Sequence, residues 1–362
     1  MWRAELTFTP DEIWVEEGLE ECDTTARARR AAPRARLRPF ADLAAAMRRL
    51  ESLDVAAAKR RLVIARRAGG FVKPFPTGDG IRASGWHYFI PAIGCPADCR
   101  YCFLQTYHSG GAPVVFAGLD AMFGEMAATA AAEPESYFYG GELCDSLMLE
   151  PFLDSVPRLV AMFEGLPSAT LELRTKSDDV DPLIYAASRC RSGRAPRNVI
   201  VSWTFTPEDA AREFEPGAAD TASRIAAARR VAAAGYRVGV RLDPVIIETG
   251  WIHRYERLVD ELCAALPPEG IESVHIGCMR FNRALKAKAS ERSFPRPLCG
   301  EFAEASDGKF RYPRPVRAAA YAAIAAMVRE WGSAIPVKLC METAEVHADF
   351  RKLAQKCPQD CR

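Results

Sequence analysis

Three cysteines, at positions 95, 99 and 102, lie in one short loop that follows a predicted strand. Thiolates are soft ligands that iron–sulfur clusters and zinc both bind, and such clusters often use closely spaced cysteines. Three local ligands leave one coordination position open, and an open position is where a metal centre can do chemistry. The spacing therefore predicts a catalytic iron–sulfur cluster at Cys95, Cys99 and Cys102. A structural zinc completed by a distant Cys or His, and three unrelated buried thiols, are the alternatives.

Other candidate metal ligands form weaker patterns. Cys357 and Cys361 repeat the Cys-Pro-x-Asp-Cys spacing of the first loop, and with Cys278, Cys299 or Cys340 they would offer ligands for a second cluster. Two cysteines alone are a weak metal signal, so we favour a tail with free thiols. No paired metal spacing occurs among the histidines, which stand at positions 87, 108, 253, 275 and 347.

Short apolar segments alternate with helical patterns along the central part of the chain. We predict strands at residues 88–93, 136–139, 170–175, 199–205, 237–242, 273–277 and 336–340. Helical periodicity marks residues 152–164, 221–234, 254–265 and 316–331. Such alternation is typical of an α/β protein with a parallel sheet and helices outside it. Periodicity does not decide between an open barrel and a flat doubly wound sheet.

The first 82 residues differ in composition from the rest. Residues 1–26 carry eight acids and one base, whereas residues 27–82 carry fifteen bases and four acids. We interpret 27–38 as a solvated arm or exposed helix and 40–67 as helical. The domain prediction is an N-terminal extension at 1–82, a catalytic core at 83–290 and a C-terminal extension at 291–362 that completes the sheet. The basic stretch, with Arg280 and Arg283, is a candidate surface for nucleic-acid phosphates or a merely solvated face.

The overall composition is that of a globular protein, with 49% apolar and 26% charged residues and a net charge of +1. No apolar run reaches the about 18 residues of a membrane-spanning helix, and no secretory signal is evident. We therefore expect a cytoplasmic protein without a membrane partner. Twelve cysteines in such a chain indicate reduced thiols rather than disulfides.

Residues 93–106 resemble the radical S-adenosylmethionine (SAM) superfamily, whose signature is C-x3-C-x2-C with an aromatic residue, here Tyr101, before the third cysteine. The run Cys102-Phe103-Leu104-Gln105 is similar to the spore photoproduct lyase branch. The likeness covers about residues 85–285, with a weaker part at 339–342. Further segments follow in the order of that family, at residues 139–147, 173–177, 201–205, 214–217, 233–239 and 243–251.

The resemblance implies a partial (β/α)6 open barrel with a [4Fe–4S] cluster held by Cys95, Cys99 and Cys102. SAM would chelate the fourth iron. One electron from an external reductant of flavodoxin or ferredoxin type would cleave SAM to a 5′-deoxyadenosyl radical that abstracts hydrogen from the substrate. The leading substrate is a thymine-dimer lesion in DNA. The alternatives are a radical SAM enzyme that acts on a small molecule, a peptide or RNA, and a non-catalytic iron–sulfur or zinc protein.

Five further residues are candidates for SAM binding. Gly140 and Gly141 follow a predicted strand, where small residues let the backbone approach a ligand, and the carboxylate of Glu142 can pair with the ammonium of SAM. An ordinary glycine turn is the alternative. In the family, the lysine and serine that match Lys176 and Ser202 help to hold SAM. A solvated lysine and a core serine are the alternatives.

Two residues are candidates for hydrogen transfer. The cysteine that donates hydrogen in the family matches Glu142 when the sequences are compared without gaps, and Cys144 lies two residues on, on the same face if the segment is extended. Cys144 is therefore a candidate donor or a small buried hydrophobe. The family's radical relay uses tyrosines on both sides of the third cysteine; Tyr101 is retained as a candidate, but Phe103 has no hydroxyl. The complete relay does not carry over, which favours a different substrate and leaves the regeneration of SAM open.

Overall fold

The computed structural model describes residues 8–75, 85–108, 110–292, 296–305 and 307–355. The strands are β1 Glu12–Glu16, β2 Arg36–Phe40, β3 Arg61–Ala65, β4 Val72–Pro74, β5 Trp86–Phe89, β6 Ala92–Ile93, β7 Val114–Phe116, β8 Tyr137–Tyr139, β9 Thr170–Thr175, β10 Val199–Thr204, β11 Arg237–Val245, β12 Ile271–Cys278, β13 Arg280–Phe281, β14 Ala303–Glu304, β15 Phe310–Arg311 and β16 Val337–Leu339. The helices are α1 Asp23–Ala31, α2 Leu43–Glu51, α3 Val55–Lys59, α4 Leu104–Tyr107, α5 Leu119–Ala132, α6 Glu150–Leu153, α7 Val156–Glu164, α8 Asp181–Arg189, α9 Glu208–Phe214, α10 Thr221–Ala233, α11 Trp251–Ala265, α12 Arg283–Glu291, α13 Arg314–Trp331 and α14 Ala344–Gln355.

The larger sheet has eight strands in the order β16-β12-β11-β10-β9-β8-β5-β4. All of its pairs are parallel except β4 with β5. The two edge strands, β4 and β16, do not pair with each other in the described part of the chain, so the sheet is open rather than closed into a complete barrel. Helices connect the successive parallel strands, as a parallel sheet requires. The predicted α/β partial barrel is confirmed.

Apolar and polar side chains alternate along the strands, which gives the sheet an apolar face and a polar face. On β9 and β10 the side chains of Leu171, Leu173, Val201 and Trp203 are almost fully buried. The intervening positions, such as Glu172, are polar. Because successive side chains of a strand point to opposite faces, the polar positions share the face away from this apolar core.

A second sheet is formed mainly by the N-terminal region, with the strand order β2-β1-β3-β7-β6. The interpretation of 27–38 as a solvated arm or helix and of 40–67 as helical was wrong in part, because β2 and β3 lie within these segments. The arginines of β2 favoured the prediction of a solvated arm or helix, but β2 is an edge strand, where polar side chains reach solvent. Arg36 and Arg38 there both lie within ion-pair distance of Glu12 on β1, at 3.3 and 3.4 Å.

Strand pairing crosses residue 82 in both directions. Strand β7 comes later in the chain but pairs with the N-terminal strand β3, and β6 pairs with β7 at the edge of that sheet, whereas β4 comes earlier and joins the larger sheet. Strand β16 lies beside β12, as expected of a C-terminal segment that extends the sheet. The division into three parts stays a prediction.

The predicted elements of the core agree closely with the structure, with two differences. The segment 88–93 forms two short strands, β5 and β6, that belong to different sheets. The helix predicted at 152–164 is divided into α6 and α7 at Asp154, whose φ is 52°. No helix of the described residues combines the length and the apolar character needed to cross a membrane.

Candidate active site

The loop that carries the three cysteines is held by backbone hydrogen bonds on both sides. After β6 the chain turns at Gly94, which has a φ of 81° and whose amide donates to the carbonyl of Leu143 at 2.8 Å. The amide of Asp98 donates to the carbonyl of Pro216 at 2.7 Å, and Gly217 packs against the loop. The loop therefore lies between two segments that the sequence places far from it.

Burial and neighbouring groups affect the thiols of Cys95 and Cys99. Burial raises the pKa of Cys95 well above its ordinary value and raises that of Cys99 to about 12, and neighbouring thiols of the loop add to both shifts. In the described part of the chain, no three His, Cys, Asp or Glu side chains are arranged to hold a single metal ion. A structural zinc needs four donors around one ion, whereas each thiolate of a [4Fe–4S] cluster binds its own iron. This donor set fits a cluster better than a zinc.

Lys176 extends from the end of β9 to the cysteine loop. Its Nζ atom lies 5.5 Å from the centre of the Tyr101 ring and 3.9 Å from Oε1 of Glu215. Burial alone would lower the pKa of Lys176, but Glu215 and the thiols of Cys99 and Cys102 raise it. The predicted SAM-binding lysine is therefore next to the predicted cluster ligands.

Glu215 connects several groups beneath the loop. Its carboxylate accepts hydrogen bonds from the Tyr101 hydroxyl, from Oγ1 of Thr206 at 2.8 Å and from Nη2 of Arg224 at 2.5 Å. Neither Glu215 nor Arg224 has any exposed side-chain surface. Burial would raise the pKa of Glu215, but Lys176 and Arg224 lower it. The hydroxyl hydrogen of Tyr101 thus has a carboxylate partner that sequence reasoning did not assign.

The glycine pair at the end of β8 lies in a tight turn against β9. Gly141 has a φ of 78°, and a Cβ atom there would lie 2.6 Å from the carbonyl oxygen of Arg174. The Arg174 guanidinium donates to the carbonyl of Gly140 at 3.0 Å and to Oε2 of Glu142 at 2.7 Å. Only glycine fits this backbone without strain. The predicted SAM-binding carboxylate is thus already paired with an arginine.

Asp145, which the sequence did not single out by itself, joins this turn to Lys176. Its carboxylate accepts from the amide of Lys176 and from the hydroxyl of Thr175, both at 2.7 Å. It also accepts from the amides of Leu147 and Met148, at 2.8 and 3.0 Å. A buried aspartate with four donors is a rigid connection between the two segments.

The segment around Cys144 is not extended, so the condition that would place Glu142 and Cys144 on one face is not met. Residues 141–144 form a bend and residues 146–149 form a turn. The Cys144 side chain is only 6% exposed, and burial raises its pKa to about 12. Its role as a hydrogen donor stays a prediction. Phe103 is 47% exposed, with its ring 6.1 Å from that of Tyr107.

Ser202 belongs to a polar layer on the inner face of the sheet. It is 2% exposed, faces Gly239 of the neighbouring strand and hydrogen-bonds to Glu172. In the same layer, Arg280 donates to both carboxylate oxygens of Asp243, at 2.7 and 3.1 Å. Arg280 therefore lies inside the barrel in an ion pair, not on a surface that faces phosphates.

The other cysteines that the sequence offered for a second cluster differ in exposure. Cys278 is buried, Cys299 is exposed and Cys340 is half-buried. Cys357 and Cys361 lie outside the described residues, so both the favoured tail with free thiols and the alternative of a second cluster stay untested.

Known proteins resemble this chain in sequence. The spore photoproduct lyase family model matches residues 55–298. The spore photoproduct lyase of Geobacillus sp. (strain Y412MC61) is 30% identical over 194 residues, which cover 51% of this chain and 53% of that protein. The spore photoproduct lyase of Bacillus subtilis (strain 168) is 26% identical over 216 residues, 58% of this chain and 60% of that protein. The chain thus spans between half and two thirds of the length of these curated relatives.

Solved structures resemble it in fold. A spore photoproduct lyase complexed with dinucleoside spore photoproduct superposes with a TM-score of 0.76 at 19% identity, covering 92% of this chain and 100% of that one. A mutant spore photoproduct lyase with bound AdoMet and dinucleoside spore photoproduct gives a TM-score of 0.74 at 20% identity, covering 91% and 98%. At these identities the likeness establishes the fold alone. Because the family model spans about two thirds of its residues, the chain belongs to the spore photoproduct lyase family.

Proposed function

We propose that this protein is a radical SAM lyase that acts on a thymine-dimer lesion of the spore photoproduct type in DNA. The observation that carries the proposal is the loop of Cys95, Cys99 and Cys102, beside which Lys176 lies with its Nζ atom 5.5 Å from the centre of the Tyr101 ring. The family to which the chain belongs consists of radical SAM enzymes with a [4Fe–4S] cluster. The substrate is inferred from the relatives, two of which are described with a dinucleoside spore photoproduct.

The candidates for holding the cofactors are the residues of the cysteine loop and those close to it. Cys95, Cys99 and Cys102 would ligate a [4Fe–4S] cluster, which when bound supplies the electron that cleaves SAM to a 5′-deoxyadenosyl radical. Lys176 places a cation beside this loop, where it suits the carboxylate of SAM. The remaining SAM-binding candidates are Gly140, Gly141, Glu142 and Ser202.

To bind SAM, the carboxylate of Glu142 would have to interact with Arg174 and with the ammonium of SAM at the same time. It accepts from Arg174 at 2.7 Å, and a carboxylate has room for a further donor such as an ammonium. Ser202 is bonded to Glu172 inside the sheet, so it would support the SAM site through that carboxylate or through its own hydroxyl. The two glycines keep the β8 turn close to β9 and free of side chains.

The hydrogen-transfer residues form a separate part of the proposal. Tyr101 lies in the cysteine loop, but its hydroxyl hydrogen is directed to Glu215. For Tyr101 to pass on a hydrogen atom, that hydrogen bond would have to break, so an anchoring role suits the geometry better. Cys144 is buried in the turn beside the loop and would donate hydrogen only after a local movement.

A second candidate is favoured by Phe103. At the matching position the family has a tyrosine that takes part in the radical relay, whereas the phenyl ring of Phe103 has no hydroxyl hydrogen to transfer. A radical SAM enzyme on the same scaffold that acts on a small molecule, a peptide or RNA would not need that relay.

The test uses the full chain, reconstituted with iron and sulfide without oxygen. We expect that dithionite, SAM and a dinucleoside spore photoproduct yield 5′-deoxyadenosine and the repaired dinucleoside, both detected by mass spectrometry. Release of 5′-deoxyadenosine without repair would support the second candidate. The matched control is Cys99→Ala, which we expect to give neither product while its circular dichroism stays unchanged. If the wild-type protein also gives neither product, the proposal fails.

In the cell, the electron would come from a carrier of flavodoxin or ferredoxin type. We place the reaction in the cytoplasm, because a reducible cluster and free thiols require a reducing compartment. Reduction of the cluster by a purified flavodoxin in place of dithionite would support this partner.

A further inference from the structure

Lys59 connects the N-terminal sheet region to the cysteine loop. It is the last residue of α3, and its Nζ atom donates hydrogen bonds to two backbone carbonyls of the loop, those of Cys95 and, at 3.1 Å, Ala97. The contact joins residues 36 and 38 positions apart in the chain. One side chain therefore holds two carbonyls on either side of Pro96.

The element that carries Lys59 is itself well anchored. The carboxylate of Asp54 caps the start of α3 by accepting from the amide of Ala57 at 2.7 Å. Ala58 is 2% exposed, and β3 begins at Arg61, two residues after Lys59. A capped helix that leads directly into a buried strand leaves its last side chain little freedom to move away from the loop.

Lys59 has no ion-pair partner among the described residues. Lys176, which also lies near the loop, differs in this respect, because its Nζ atom is 3.9 Å from Oε1 of Glu215. Within the described part of the chain, the loop thus has a cation without a paired carboxylate at the backbone of its first cysteine.

A [4Fe–4S]²⁺ core with three thiolates has a formal charge of −1, and one added electron makes it −2. Net charge and nearby dipoles are among the factors that set the potential of such clusters, and a fixed cation stabilises the more negative state. We propose that Lys59 is a positioning residue that shapes the cysteine loop and, through its charge, makes the bound cluster easier to reduce. This inference rests on the proposed function, since it assumes the cluster.

The test compares Lys59→Met, Lys59→Gln and Lys59→Arg with the wild type and with Lys286→Met, a control at an exposed lysine of α12. Each protein is reconstituted, its iron content is measured, and its midpoint potential is determined by a redox titration followed by electron paramagnetic resonance. For Lys59→Met we expect the ratio of reduced to oxidised cluster at a fixed potential to fall about tenfold, a shift of about 59 mV to more negative potential. Lys59→Arg should restore the wild-type potential, because it keeps the charge.

Lys59→Gln separates the two parts of the inference, because it keeps a hydrogen-bond donor without the charge. We expect it to bind more iron than Lys59→Met but to keep the lowered potential. A purely structural lysine would change iron content and leave the potential of the remaining clusters unchanged, and that result in Lys59→Gln would overturn the inference. Wild-type iron content and potential in Lys59→Met would also overturn it. If the wild-type protein itself binds no iron, the proposed function is at fault instead.

Discussion

Glu215 and Arg224 form an ion pair with no exposed side-chain surface, under the cysteine loop. Removing one partner of a buried pair leaves the other charge uncompensated, which costs about 3 kcal/mol or more. We expect Glu215→Gln to lower the free energy of unfolding by about that amount in urea denaturation of the cluster-free protein. The control is Glu21→Gln, whose side chain is 90% exposed and 3.9 Å from Arg29, and which we expect to have almost no effect. Equal stabilities of the two variants would refute this account of the loop's support.

Glu150 makes stability depend on pH. Burial raises its pKa from 4.5 to about 7, although it accepts from the amide of Val156 at 2.6 Å and the hydroxyl of Ser155 at 2.8 Å. Since the folded-state pKa is the higher one, the folded protein holds a proton that the unfolded chain releases between these values. Stability therefore falls as pH rises from about 4.5 to 7, by about 3 kcal/mol in total.

The measurement is the unfolding free energy of wild type and Glu150→Gln at several pH values. The substituted side chain keeps an acceptor for the amide of Val156 but has no proton to lose, so the difference between the two proteins should change across this window in favour of the variant at higher pH. Parallel pH profiles would show that Glu150 does not titrate in this range.

At the scale of elements, α12 and the residue after it contact the cysteine loop and the short helix α4 that follows it. Nζ of Lys288 donates to the carbonyl of Gln105 at 2.7 Å, and Arg292 pairs with Asp98 and donates to Oε1 of Gln105 at 2.8 Å. A loop held by several long-range side-chain contacts should release its metal slowly. We expect Arg292→Gln to lose iron to a chelator several-fold faster than wild type. Arg283→Gln, at a 79% exposed position of the same helix, should lose it at the wild-type rate.

An unchanged rate of iron loss in Arg292→Gln would contradict this explanation. Circular dichroism of the cluster-free variant serves as the folding check, because a general loss of α12 would also release iron. With folding intact and the rate raised, the loss of the Arg292 contacts to Asp98 and Gln105 is the cause.

At the scale of the whole molecule, the formal net charge is only +1, so attraction to the proposed DNA substrate would have to come from local basic surface. Arg30 and Arg34 are exposed in the basic stretch, whereas Arg280 is in the barrel interior. We expect binding of a dipyrimidine-containing duplex to weaken as salt rises from 50 to 200 mM, by on the order of 40-fold for three phosphate contacts. The double variant Arg30→Gln/Arg34→Gln should bind more weakly and reduce the salt slope by about two. An unchanged slope would place the DNA contacts elsewhere.

The sequence by itself determined the cysteine loop and the order of the core elements. The three cysteines are close in the chain, and the alternation of apolar strands and helices is a local pattern, so both can be read without knowing the fold. The strand predicted at 170–175 has the bounds of β9, and helix α10 differs from its prediction by one residue. Local patterns failed at β2, where an arginine-rich edge strand has no apolar face to detect.

Only the tertiary structure decided what surrounds the loop. The partners of Tyr101, Asp98 and the Cys95 carbonyl are 114, 194 and 36 residues away in the chain. Such contacts depend on how sheets and helices pack, and no local spacing of residue types encodes them. For the same reason the sequence did not show that the segment at residues 140–149 is not extended. Its shape depends on how it packs against β9, and this shape decides where Glu142 and Cys144 lie.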